Sequence, residues 1–132
     1  MLPPLPNKMN KREANWSTTV LRKWWLENRP PVGPIEVKYA TGGSLPFKAV
    51  AEHQLLALLS CMSDKGFLWK HPDMGNIGYW DFTYYRNSAA WIVIKYPKGF
   101  CVISARSFDL EMKRSKRKSL TWERARAIST CG

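Results

Sequence analysis

The apolar residues of this chain change period at Pro30-Pro31, and that change restricts it to folds that pack helices against a sheet. Before the prolines, Trp16, Val20, Leu21, Trp24 and Trp25 fall on one helical stripe, with Ser17 or Asn15 available to cap its start. The prolines stop that helix. After them, Ile35-Glu36-Val37-Lys38-Tyr39 alternates apolar and charged residues, the mark of a half-buried strand. Gly42-Gly43 breaks the strand, and Phe47 to Met62 reads as a second helix with its stripe at Ala51, Leu55, Leu58, Leu59 and Met62. Four β-type segments follow, at 66–70, 80–86, 90–96 and 100–105, with Asn87-Ser88 and Pro97-Lys98-Gly99 as turns of a β-meander. A last helix begins near Ser119 or Thr121 and carries Trp122, Ala125 and Ile128 inward. This order predicts an α/β domain with a single mixed β-sheet flanked by helices.

At 132 residues, 45% of them hydrophobic, the chain can build one core but not two. The expected organisation is a flexible basic arm over 1–14, opening with Pro3, Pro4 and Pro6, followed by one domain over 15–132. A basic C-terminal segment spans about 106–126. The uncharged apolar run Ala89–Ile94 is far too short for a bilayer, which needs ~20 residues. The N-terminus lacks the apolar stretch of a signal peptide, so an intracellular protein with no membrane partner is expected. Cys61, Cys101 and Cys131 form neither a disulfide framework nor a CxxC site and read as buried free thiols. His53 and His71 are too few for a zinc centre.

The net charge of +11 is unevenly spread. Residues 1–29 carry six Lys/Arg against two acids, and 105–132 carry eight against three, while 30–104 carry seven against five. Basic ends around a nearly neutral middle suit a polyanion gripped outside and carboxylate chemistry inside. The best candidate for that chemistry is Glu36-x-Lys38, whose strand spacing sends both side chains to one face while Val37 points into the core. Phosphodiester hydrolysis uses a hard cation on carboxylates, together with a positive group that offsets charge building on the phosphate.

Downstream of that strand come Phe47 and a helix bearing His53-Gln54; then Pro72-Asp73, Trp80-Asp81-Phe82, Trp91–Pro97 and Arg117-Lys118-Ser119-Leu120-Thr121-Trp122-Glu123-Arg124-Ala125. With this set the chain resembles the PD-(D/E)xK nuclease superfamily over roughly residues 16–129. Within it, the likeness is to the RecU-type Holliday-junction resolvases and their phage-encoded relatives. The resemblance implies a restriction-endonuclease-like core and a Mg2+-dependent endodeoxyribonuclease, with Mn2+ as a substitute ion. It also implies four-way or otherwise branched DNA as substrate, a homodimer, and the cytoplasm of a bacterial or phage-infected cell. Catalytic roles fall to Glu36, Lys38, Asp81 and Gln54. The superfamily's usual aspartate on a preceding strand is missing, because only Arg29–Pro34 separates the first helix from Ile35. Asp81, opening a strand expected beside Glu36, is the replacement metal ligand of choice, and Asp73 is the second.

Gln54 is expected to face the sheet and reach Lys38 or a metal-bound water, and His53 to face outward toward DNA. Glu27 is closer to a solvated helix end than to a metal ligand. Lys113, Arg114, Lys116, Arg117 and Lys118, with Lys11 and Arg12 in the arm, are the expected phosphate contacts. Trp24 and Trp25, being adjacent, are expected to split between the core and a dimer contact. The competing reading is a non-catalytic nucleic-acid binder, in which Lys98-Gly99-Phe100 and Tyr84, Tyr85 or Trp91 would stack bases.

Overall fold

A computed structural model describes residues 16–71 and 81–129. A π-helical turn, Ser17–Leu21, runs into helix α1 (Arg22–Asn28), followed by β1 (Ile35–Tyr39) and the short β2 (Ser44–Pro46). A 3-10 turn, Phe47–Ala49, precedes α2 (Glu52–Met62). Next come β3 (Phe67–His71), β4 (Asp81–Tyr85), β5 (Trp91–Tyr96) and β6 (Gly99–Ser104). Helix α3 (Ala105–Arg114), β7 (Ser119–Thr121) and α4 (Trp122–Ile128) complete the order.

The fold is mixed α/β, but its strands do not form the single sheet expected from sequence. They make a three-stranded mixed sheet in the order β1-β5-β6 and two separate pairs, β2-β7 and β3-β4. The meander fails at Asn87-Ser88. Instead of turning β4 back onto β5, this segment bonds to the end of α2, through Asn87 N to Ser63 O at 2.9 Å and Ser88 N to Cys61 O at 3.1 Å. The hairpin through Pro97-Lys98 does form, pairing β5 and β6 antiparallel. The Phe47–Met62 helix is also shorter than its apolar stripe. Val50 and Ala51 are extended, and the α-helix starts at Glu52.

Strand β5 explains the architecture. Trp91-Ile92-Val93-Ile94 is buried throughout because it is the middle strand of a sheet covered on both faces, where apolar residues run continuously. On one face Ile92, Ile94, Tyr96, Cys101 and Ile103 pack with Leu55, Leu58 and Cys61 of α2, Phe108 of α3 and Ala125 of α4. On the other, Trp91, Val93 and Val102 pack with Leu21, and Trp16, Trp24 and Trp25 lie against them. Trp24 and Trp25 therefore do not divide between core and surface. Trp24 meets Phe100 edge-on at 5.7 Å and Trp25 meets Trp91 at 5.9 Å. Arg29, in the left-handed region at φ 49°, closes the helix by bonding back to Trp25 O. Trp91 is held to the connecting loop twice, through its ring nitrogen to Pro31 O and its backbone N–H to Pro34 O, both at 2.9 Å.

Residues 105–114, read from sequence as the last strand's end and a charged stretch, form α3. Ala105, Phe108 and Glu111 recur every three residues along its buried side. Glu111 is a charged group in the core, and Arg124 of α4 answers it with a two-pronged ion pair, Nη2 lying 3.1 Å from Oε1. The pair locks α3 to α4.

Candidate functional site

Strand β1 lies at the edge of the three-stranded sheet, parallel to β5, with Glu36 opposite Ile92 and Lys38 opposite Ile94. Residues in register on neighbouring strands share a face, so both charged side chains stand on the face that α2 covers. Ile35 and Val37 turn to the tryptophan side. Lys38 Nζ sits 3.2 Å from Glu36 Oε1, and the two side chains keep 21% and 22% of their exposure. The pair is sheltered yet reachable from solvent. Glu27 does not join it, since its helix packs on the opposite face of the sheet and Glu27 itself is exposed.

The remaining sequence candidates are scattered. Gln54 does not reach for Lys38 with its oxygen, because Oε1 accepts the Ala51 N–H at 3.1 Å and caps the start of α2. His53 is exposed, as expected of an outward-facing residue. Asp81 opens β4, but β4 pairs with β3, placing Asp81 opposite His71, and the neighbour of β1 is β5. The expected strand pairing between Asp81 and Glu36 is thus absent, and the Asp81 side chain lies outside the described residues. Asp73, Lys11, Arg12 and the whole 1–14 arm also lie outside them, as does Cys131. Cys61 and Cys101 are buried free thiols, and burial pushes the Cys101 thiol up to about 11, against the opposing pull of Arg126.

Among the described residues no three His, Cys, Asp or Glu side chains converge as a metal cluster. The donor chemistry at β1 is one carboxylate beside one ammonium. That set suits Mg2+, which takes one or two carboxylates and fills its octahedron with water and substrate phosphate. It does not suit zinc, which wants nitrogen and sulfur ligands.

The basic residues gather elsewhere, along a ridge at 114–118. Ser115 Oγ accepts the Arg117 N–H at 3.0 Å and shapes the turn after α3. The β2-β7 pair then brings the ridge beside the start of α2, with Phe47 N bonded to Lys118 O at 3.0 Å. Two clefts flank it. The larger, about 770 Å³, lies toward α4 and is walled by Arg114, Lys116, Arg117 and Arg124, with Glu111 and Glu123 also present. The smaller, about 490 Å³, lies toward α2 and sets Phe47, Val50, Leu55 and Met112 beneath Lys48, Arg117 and Lys118, with Glu52 at its side. Neither cleft is lined by Glu36 or Lys38. Of the expected phosphate contacts, Lys113 is engaged by Asp109 at 2.9 Å. Sequence reasoning missed Lys48 and Arg124, which reach the ridge only through the β2-β7 pairing and the packing of α4. Comparison of the chain with protein-family models, curated proteins and solved structures gives no match to any of them.

Proposed function

We propose that this protein is a Mg2+-dependent endonuclease that hydrolyses DNA phosphodiesters, with Glu36 and Lys38 at its reacting centre. The finer reading is a structure-selective Holliday-junction resolvase of phage type, acting as a homodimer. The supporting observation is the Glu36–Lys38 pair, 3.2 Å apart on one face of an edge strand and partly open to solvent. Glu36 would hold the ion, which when bound polarises the phosphate and supplies an acidic water. Lys38 lies close enough to offset charge growing on the phosphate oxygens. Gln54 acts at one remove, by fixing the first turn of the helix that covers this face. Strand pairing does not bring Asp81 to Glu36, so Glu36 alone is assigned to the ion, with water and substrate oxygens filling its other positions.

A second reading, a nucleic-acid binder without catalysis, draws support from the two basic clefts, whose cations suit phosphate whether or not the strand is cut. Incubating the purified chain with a labelled four-way junction and with linear duplex, in Mg2+ or in EDTA, separates the readings. Cleavage of the junction in Mg2+ alone is the expected result. Equal cutting of duplex would leave a general nuclease, and no cutting in Mg2+ or Mn2+ would leave the binder.

A further inference from the structure

We propose that the 114–118 ridge holds one unpaired nucleotide of a DNA strand, its phosphate in the cleft toward α4 and its base in the cleft toward α2. The proposal rests on the reading that the chain binds DNA, but not on its cutting it.

The two clefts differ in chemistry as a nucleotide's two halves differ. On the α4 side, Arg124 is engaged by Glu111, so its charge is balanced. Arg114, Lys116 and Arg117 are exposed and form no ion pair among the described residues. Glu123 is the one other acid lining that cleft among the described residues. Three cations against one carboxylate give a seat for a phosphate. On the α2 side the floor is apolar, since Phe47, Val50 and Leu55 are core residues whose edges surface there. An intact duplex keeps its bases stacked inside and shows its surroundings phosphates and groove edges. An apolar cleft edged by Lys48, Arg117 and Lys118, with Glu52 the one acid lining it among the described residues, therefore matches a strand whose base is out of the stack and can be covered by apolar contact rather than by groove-edge readout. Arg117 lines both clefts, so the two meet at its side chain, and a nucleotide bound there would have its phosphate and its base on either side of one arginine. The apolar cleft is walled by Leu55 of α2, the helix that covers the Glu36–Lys38 face.

The test is fluorescence anisotropy of the full chain in EDTA, with a labelled oligomer of eight thymidines and an abasic oligomer carrying the same phosphates. The abasic strand should bind more weakly by about fivefold, the scale of one lost base contact. Arg117→Ala should weaken thymidine binding by about tenfold and lower the salt slope by about one. The double variant Arg114→Ala/Lys116→Ala should weaken both oligomers by the same factor, because it removes phosphate contacts alone. All three side chains are exposed, and circular dichroism checks that the variants fold. Equal affinity for the two oligomers overturns the proposal, as does unchanged binding by Arg117→Ala. Failure to bind either oligomer overturns it together with the DNA-binding reading. Base-dependent binding without any cutting in Mg2+ supports it while removing only the nuclease.

Discussion

Lys38 Nζ lies 3.2 Å from Glu36 Oε1 on the edge strand of the central sheet, with each side chain about one-fifth exposed. Two residues of separation put them on one face, the one on which Ile92 and Ile94 of the neighbouring strand pack against α2. The ion pair is too open to contribute much to folding, about 1 kcal/mol or less. Glu36→Gln and Lys38→Ala should each reduce junction cleavage at least a hundredfold, leaving the thermal midpoint and junction affinity nearly unchanged. Gel cleavage assays beside anisotropy in EDTA check this. Loss of binding with cleavage would place the pair in the interface instead.

Gly33 sets the height of that strand. A Cβ at this position would lie 1.8 Å from Ala89 O, a backbone atom that cannot swing aside. Gly33→Ala should therefore push the 29–34 loop off β5, at a cost of about 3 kcal/mol. Urea denaturation measures the loss. Cleavage should fall as well, because Glu36 lies just beyond the displaced bonds that Trp91 donates to the Pro31 and Pro34 carbonyls.

Glu111 is 8% exposed and depends on Arg124 for its partner. Removing Arg124 leaves a carboxylate in the core unanswered, whereas Glu111→Gln keeps the shape and a hydrogen-bonding oxygen. Arg124→Ala should lower the thermal midpoint more than Glu111→Gln does, as differential scanning calorimetry at neutral pH can show. The reverse order would mean that the pair does not join α3 to α4.

Stability should fall in alkali. Burial raises the Cys101 thiol from 9.0 to about 11, and raises Cys61 and Tyr96 as well. The folded state thus keeps protons that the unfolded chain releases. The stabilisation is complete below pH 9 and is lost as pH climbs toward about 11, Cys101 alone accounting for on the order of 2–3 kcal/mol. Urea midpoints at pH 8, 9.5 and 11 should decline in that order, and Cys101→Ala should flatten part of the slope.

Local pattern was enough to find the first helix, the Glu36-x-Lys38 strand, the Pro97-Lys98 hairpin and a final helix starting near Ser119 or Thr121; the structure decides for Thr121, whose Oγ1 accepts the Arg124 N–H. These signals are written in neighbouring residues: a stripe, an alternation, a turn, a cap. Alternation on β1 also placed Glu36 and Lys38 on one face, because period two permits nothing else. Which strands pair was not legible. Asp81 opens a strand, but that strand bonds β3, and nothing local to Asp81–Tyr85 distinguishes β3 from β1 as its partner. The helix at Ala105–Arg114 was hidden by its charge, since its apolar side holds few residues and one of its buried positions is Glu111, acceptable there only because Arg124 arrives from α4.

The basic run at 113–118 is plain in the sequence, but its division of labour is not. The helix period ties Lys113 to Asp109 four residues back, but only the tertiary structure ties Arg124 to Glu111 and sets Arg117 between two clefts. The same holds for the Glu36–Lys38 pair. Its spacing and shared face follow from the strand alone. Its place at a sheet edge follows from the order β1-β5-β6, which is set by burying both faces of Trp91–Ile94. That burial is a property of the whole packed chain, so no window of sequence contains it.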